Sequence, residues 1–255
     1  MARDLEKVLL PHLPAAKILA AYRAAPGQEL DEKFSSPESS AALVANTFGF
    51  FLEWPELLPI VPGLAGVSWP PKSVSLEKCL RFPWRGGSYP WLDVLIETPE
   101  HIVGVESKRY EPFRGGHHAY FSLAYSRDVW GTEMGPYEDM RDKLTRSPQK
   151  FAHLDAAQLV KHAFAIRTQA METKKRGVLA YLYAEPCRWP DNRPVAAAAR
   201  KAHSREVGLF QQAVRGAEVG FAVCKYKELL AAMRLAPIIE VRRHASAVKS
   251  IYPDV

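Results

Sequence analysis

Residues 89–113 read YPWLDVLIETPEHIVGVESKRYEPF. Two apolar runs, WLDVLIET and HIVGVESKRY, flank a Pro-Glu pair, the composition of two strands joined by a tight turn. With Pro99 and Glu100 as a two-residue loop, Thr98 faces His101, Glu97 faces Ile102, Leu95 faces Gly104 and Asp93 faces Glu106. Directly opposed side chains have Cβ atoms about 4.5–5.5 Å apart. Two carboxylates therefore meet where a sheet ordinarily separates like charges. Strand side chains repeat every two residues, so Lys108 shares the face of Glu106.

Working outward, FSSPESSAALVANTFGFFLE predicts a helix with Ser36 as N-cap, Pro37 at the first helical position and an apolar stripe through Ala41, Leu43, Val44, Thr47 and Phe48. SVSLEKCLRF alternates Val74, Leu76, Leu80 and Phe82 with more polar positions and predicts a strand. Beyond the hairpin, residues 114–147 are polar and aromatic, helical in part. HLDAAQLVKHAFAIRTQA predicts a helix capped by Asp155, with Leu159, Ala163, Ile166 and Ala170 as the buried row and Gln158, Lys161 and His162 beside it. GVLAYLYA reads as a buried strand, VAAAARKAHSREVGLFQQAVRG as a long helix, and GFAVCKY as a last strand before KELLAAMR. The order αβββαβαβ implies an α/β fold, a central mixed β-sheet flanked by helices. Residues 1–34 form a helical lead, 35–234 the main domain, and 235–255 a tail segment whose basic VRRHASAVKS is expected to be solvated.

The chain has 255 residues, 47% apolar and 24% charged, enough to bury one full core. No run of eighteen apolar residues occurs, and MARDLEKVLLPHLPAAK lacks the clean apolar stretch of a signal peptide. Cys79, Cys187 and Cys224 have no CxxC spacing, which argues against a disulfide framework or a zinc site. A cytoplasmic location away from membranes is the expectation. The formal charge of +6 favours a polyanionic partner, because basic surfaces gain free energy by neutralising phosphates. Phosphate-loop, nucleophile-elbow, HExxH and GxGxxG motifs are absent, so ATP-driven, α/β-hydrolase, zinc-protease and dinucleotide chemistries lose their main support.

Asp93, Glu106 and Lys108 form D-x12-E-x-K. Adjacent carboxylates with a backbone carbonyl, here that of Ser107, offer the hard oxygen ligands that Mg²⁺ or Mn²⁺ takes while keeping several waters. A nearby ammonium can orient or deprotonate the attacking water, or stabilise a pentavalent phosphorus. That is a reagent set for phosphodiester hydrolysis. The plainer alternative is a solvated ion pair on an exposed sheet face. The apolar surroundings of both acids weigh against it, since unpaired charge there is costly without a metal or counterion.

These residues, with the element order, resemble the PD-(D/E)XK, or restriction-endonuclease-like, nuclease superfamily. The motif stands here as Pro90-Trp91-Leu92-Asp93 followed by Glu106-Ser107-Lys108, with proline three positions before the acid instead of one. The resemblance spans roughly residues 35–226, and SPESSAALVANTFG, ESKRYEPF and LDAAQLVKHAF resemble an uncharacterised bacterial branch of it. It implies a metal-dependent nuclease acting on nucleic acid, DNA foremost, with Asp93 and Glu106 as metal ligands and Lys108 serving the water. Glu38 matches the additional acid that many members place on the first helix, although a glutamate there is also favoured by the helix dipole. Gln158, Lys161 and His162 match the polar residue that members carry on the following helix.

Arg81, Arg85, Arg109 and Arg114, interleaved with Trp84, Tyr89, Trp91, Tyr110 and Phe113, form a candidate nucleic-acid grip by charge and stacking. His117 and His118 lack a third, spaced ligand for a metal. A non-catalytic nucleic-acid-binding or assembly module on the same fold is the alternative function, and the intact Asp93, Glu106 and Lys108 argue against it. Cutting both strands would suit a homodimer, and a separate partner is a further expectation for targeting.

Overall fold

A computed structural model describes residues 6–25, 34–84, 86 and 88–255. Five strands, β1 (Ser73–Cys79), β2 (Trp91–Glu97), β3 (His101–Lys108), β4 (Arg176–Tyr183) and β5 (Gly220–Lys225), form one sheet in the order β1-β2-β3-β4-β5. β2 and β3 pair antiparallel with Val94 opposite Val105, Leu95 opposite Gly104 and Glu97 opposite Ile102, the register set by a Pro99-Glu100 turn. Thr98 closes that turn: its N–H donates to His101 O at 3.0 Å and its Oγ1 accepts from His101 N at 2.9 Å. β1 is antiparallel to β2, whereas β4 and β5 run parallel to β3 and to each other. Parallel neighbours need helical crossovers, and those from β3 to β4 and from β4 to β5 place their helices over the same face of the sheet.

On one face, α1 (Ala15–Ala24), α2 (Ser40–Phe48), α6 (Tyr226–Arg234) and α7 (Ile239–Ile251) pack Ile18, Val44, Leu229 and Val241 against Val94, Ile96, Val103 and Val105. On the other, α3 (Gly135–Arg146), α4 (Ala156–Thr173) and α5 (Ala197–Ala213) pack Met140, Leu159, Ile166 and Phe210 against Leu95, Ile102 and Leu179. Covering both faces explains why β3 is buried along its length up to Lys108, which is half-buried. Gly104 sets how closely α4 approaches: a Cβ there would stand 2.6 Å from both Ile166 Cδ1 and Leu92 Cδ1.

Three expectations change. Helix α3 stands between β3 and α4, so the order from residue 40 to 225 is α-β-β-β-α-α-β-α-β. The cap of α2 is Ser39, whose Oγ accepts from Ala42 N at 3.0 Å; Ser36 Oγ instead accepts from Glu38 N at 3.3 Å, and Pro37 and Glu38 precede the helix. Residues 235–255 are not a solvated tail. Val241, Ala245 and Val248 recur at helical spacing and join the core cluster of α2, while buried His244 donates from Nε2 to Thr47 O at 3.0 Å. Among the described residues no helix is long and apolar enough to cross a membrane.

Candidate active site

Asp93 near the start of β2 and Glu106 and Lys108 near the end of β3 line one cavity of about 520 Å³. The loop before α2 supplies Glu38 to its wall, β1 supplies Glu77, and the first turn of α4 supplies Gln158. Asp155 caps α4 by accepting from Gln158 N at 2.9 Å, which fixes that turn beside the sheet. Asp93 Oδ2 accepts from Ser107 N at 2.6 Å, so the two acidic strand segments are joined directly. Ser107 Oγ lies 2.7 Å from the Tyr226 hydroxyl on the side of α6.

Glu106 is the centre of the charge network. Its Oε1 is 2.5 Å from Lys108 Nζ and its Oε2 is 3.1 Å from His162 Nδ1, with Glu106 and His162 each only 2% exposed. Close packing of Ile166 over Gly104, one turn along α4 and two residues along β3, puts His162 over Glu106. Burial by itself would raise the Glu106 carboxyl, but Lys108 and His162 outweigh it and hold the carboxyl at about 2. Asp93 goes the other way. Burial and the neighbouring Glu106 and Glu77 push its carboxyl well above the usual range, against the opposing pull of Lys108 and of the Ser107 N–H. Burial would lower the Lys108 ammonium, yet Glu106 and Asp93 prevail and raise it, so it stays protonated.

The other candidates divide. Gln158 faces the cavity and His162 reaches Glu106, whereas Lys161 lies over the rings of Phe121 and Tyr125 at 5.4 and 5.8 Å. Arg114 pairs with Glu38 at the cavity wall, and its guanidinium sits 5.2 Å over the Trp189 ring. Arg109 is 5% exposed and serves the interior. It donates from Nη2 and Nε to Asp254 at 2.6 and 3.0 Å and from Nη1 to Pro37 O at 2.7 Å, because a buried guanidinium requires a full set of acceptors. It is therefore a tie between the β3 end, the loop before α2 and the C-terminus, and not a surface grip. Arg81 is exposed beyond the end of β1 and does not line the cavity, while Arg85 lies outside the described residues. His118 Nε2 meets the Gln149 side chain at 2.7 Å.

Two site residues carried no signal in the sequence. Glu111 accepts from Ser40 Oγ at 2.6 Å and from the backbone N–H of Arg109 and Tyr110 at 2.9 Å each, folding the chain after β3 onto α2. Glu77 is described by a strand-like pattern that hides its backbone, which has φ +45°.

The donor set suits a hard divalent cation. Carboxylates line an open cavity, and Asp93 is held high first by burial and then by Glu106 and Glu77; a cation would relieve the part that comes from those two carboxylates. Among the described residues, no three His, Cys, Asp or Glu side chains are gathered to hold a metal by themselves. Asp93 and Glu106 are the side chains that could hold a divalent cation there, with water completing its sphere. Residues 14–246 match the family model described as restriction endonuclease associating with ARP. No curated protein and no solved structure matches the chain.

Proposed function

The chain belongs to the REase-ARP family, restriction endonucleases associating with ARP, and from that premise we propose that it is a PD-(D/E)XK-type, metal-dependent nuclease that hydrolyses phosphodiester bonds in DNA. One observation carries this reading: Lys108 and Glu106 are ion-paired at 2.5 Å in the same open cavity as Asp93. A solvated ion pair on a sheet face would need neither a cavity nor a second buried carboxylate beside it.

Asp93 and Glu106 are the residues to hold Mg²⁺ or Mn²⁺, with the Ser107 carbonyl and Glu38 as further oxygen donors. The bound cation supplies Lewis acidity and an activated water. Lys108 stays protonated in the protein by itself, which favours donation to the phosphate or the attacking water over service as a base. His162 Nδ1 approaches Glu106 Oε2 at 3.1 Å from α4, outside hydrogen-bonding geometry, and is placed to contact Glu106 from that side. Arg114, largely exposed at the cavity wall, is suited to a phosphate of the bound strand. The family description, association with ARP, supports a separate partner for this chain, and targeting is the role we propose for that partner.

The test is cleavage of supercoiled, linear and single-stranded DNA and of RNA by the purified protein with Mg²⁺ or Mn²⁺. Wild type should cut at least one substrate, and Lys108→Ala should lower the rate by about 100-fold or more, the magnitude typical of removing one donor to a transition state. Equal rates in wild type and Lys108→Ala would sink the reading. Nucleic-acid binding without cleavage under every condition would favour the non-catalytic module.

A further inference from the structure

Glu77 lies on β1 in a place that a strand does not explain. Leu76 pairs with Val94 and Lys78 with Leu92, so the register sets Glu77 opposite Asp93. That one pairing is missing between two regular ones. Glu77 instead has φ +45°, in the left-handed region that side-chain-bearing residues rarely adopt and that persists only where surrounding structure over-determines it. An interior strand position has no turn to make, yet the backbone distortion falls where β1 meets the acidic end of β2. The result is a carboxylate half-buried on the same cavity as Asp93, Glu106 and Lys108. Asn or Gly would accept this backbone at lower cost, so conformation alone does not account for a glutamate.

We propose that Glu77 is a third carboxylate of the site, facing the bound divalent cation and holding a water molecule of its hydration shell. The inference rests on the metal-dependent reading given above and extends it to a residue on the edge strand. The placement suits a water-mediated role: Mg²⁺ keeps most of its waters, and Glu77 does not gather with Asp93 and Glu106 into a ready three-residue coordination sphere. Carboxylates that hold a metal-bound water tune affinity although they never touch the ion.

The experiment is calorimetric titration of the full chain with Mn²⁺, without nucleic acid, alongside thermal melts of the same samples. Wild type should bind, and Asp93→Asn should lose binding. Glu77→Gln should weaken Mn²⁺ affinity by about tenfold or more. Glu77→Gly should weaken it equally while its metal-free melting temperature holds or rises, because glycine adopts φ +45° freely. Glu77→Gln binding Mn²⁺ as tightly as wild type, with Asp93→Asn defective, would overturn the role of Glu77 and leave the metal site standing. A fall in the metal-free melting temperature of both Glu77 variants would assign the residue to the fold instead. Wild type that fails to bind Mn²⁺ would overturn both this inference and the reading beneath it.

Discussion

At the scale of single residues, the candidate acids were legible because a two-residue turn fixes the register of β2 and β3 from Glu97–Ile102 to Val94–Val105; beyond that ladder Asp93 accepts from the Ser107 N–H, a contact the register does not give. Glu77 was not legible, since strand alternation describes which way side chains point and says nothing of a left-handed φ. Arg109 departs from the expected surface position for a different reason. It follows Lys108 directly, so it looks like part of a basic surface, but its partner Asp254 is 145 residues away. Burial of Asp93 next to Glu106 and Glu77 has a measurable cost. Its folded-state carboxyl is raised, so ionising it disfavours the fold once the pH exceeds the unfolded value of about 3.9. Asp93→Asn keeps an acceptor for Ser107 N and removes the charge. Without metal, this variant should melt above wild type at neutral pH, by roughly 2–4 °C for each kcal/mol of burial and repulsion cost relieved. The difference should vanish below about pH 4, where the wild-type carboxyl is protonated in both states. An unchanged melting temperature at pH 7 would mean that Lys108 already neutralises the pair.

At the scale of elements, helix α4 was readable from its cap and its apolar row, and its job follows from one glycine in β3. Contact of Ile166 with Gly104 sets the helix height, and His162 meets Glu106 one turn earlier on the same stripe. Gly104→Ala puts a methyl where Ile166 Cδ1 and Leu92 Cδ1 now lie, an overpacking worth about 1–3 kcal/mol. Nuclease activity should fall along with stability, because α4 carries His162 outward. Ile166→Val removes the clashing Cδ1 and should restore part of both losses in the double variant, a non-additivity expected of residues in contact. Strictly additive losses in denaturant melts would separate α4 placement from the site. Helix α3 escaped a definite boundary because its sequence, GPYEDMRDKLTR, is polar on most sides and buries only Tyr137, Met140, Arg141 and Leu144.

At the scale of the molecule, α1 within residues 1–34 and α7 within residues 235–255 both pack on the core under the β1–β3 half of the sheet. The basic residues of VRRHASAVKS suggest a solvated segment, because an apolar stripe of three residues in the sequence does not say what covers it. His244 of α7 shows what this packing entails. Burial and the nearby His12 hold its ring down at about 4 against the pull of Thr47 O, and burial likewise lowers His203, beside the Tyr181 hydroxyl, to about 4. Both rings lie below the unfolded value of about 6.5, so the unfolded chain takes up more protons between these limits. Their stability contribution is complete above pH 6.5, declines as the pH falls towards 4, and is flat below. At 1.36 kcal/mol per pH unit, each histidine contributes up to about 3 kcal/mol to this acid loss. Asp93 contributes with the opposite sign as it protonates, so the histidine terms are isolated by difference. The gap in urea midpoint between His244→Gln and wild type should narrow as the pH drops from 7 to 4, because only the wild type retains a ring to protonate at that position. A gap constant across that range would show that the ring at 244 is not held neutral, and α7 would then be anchored by its apolar stripe alone.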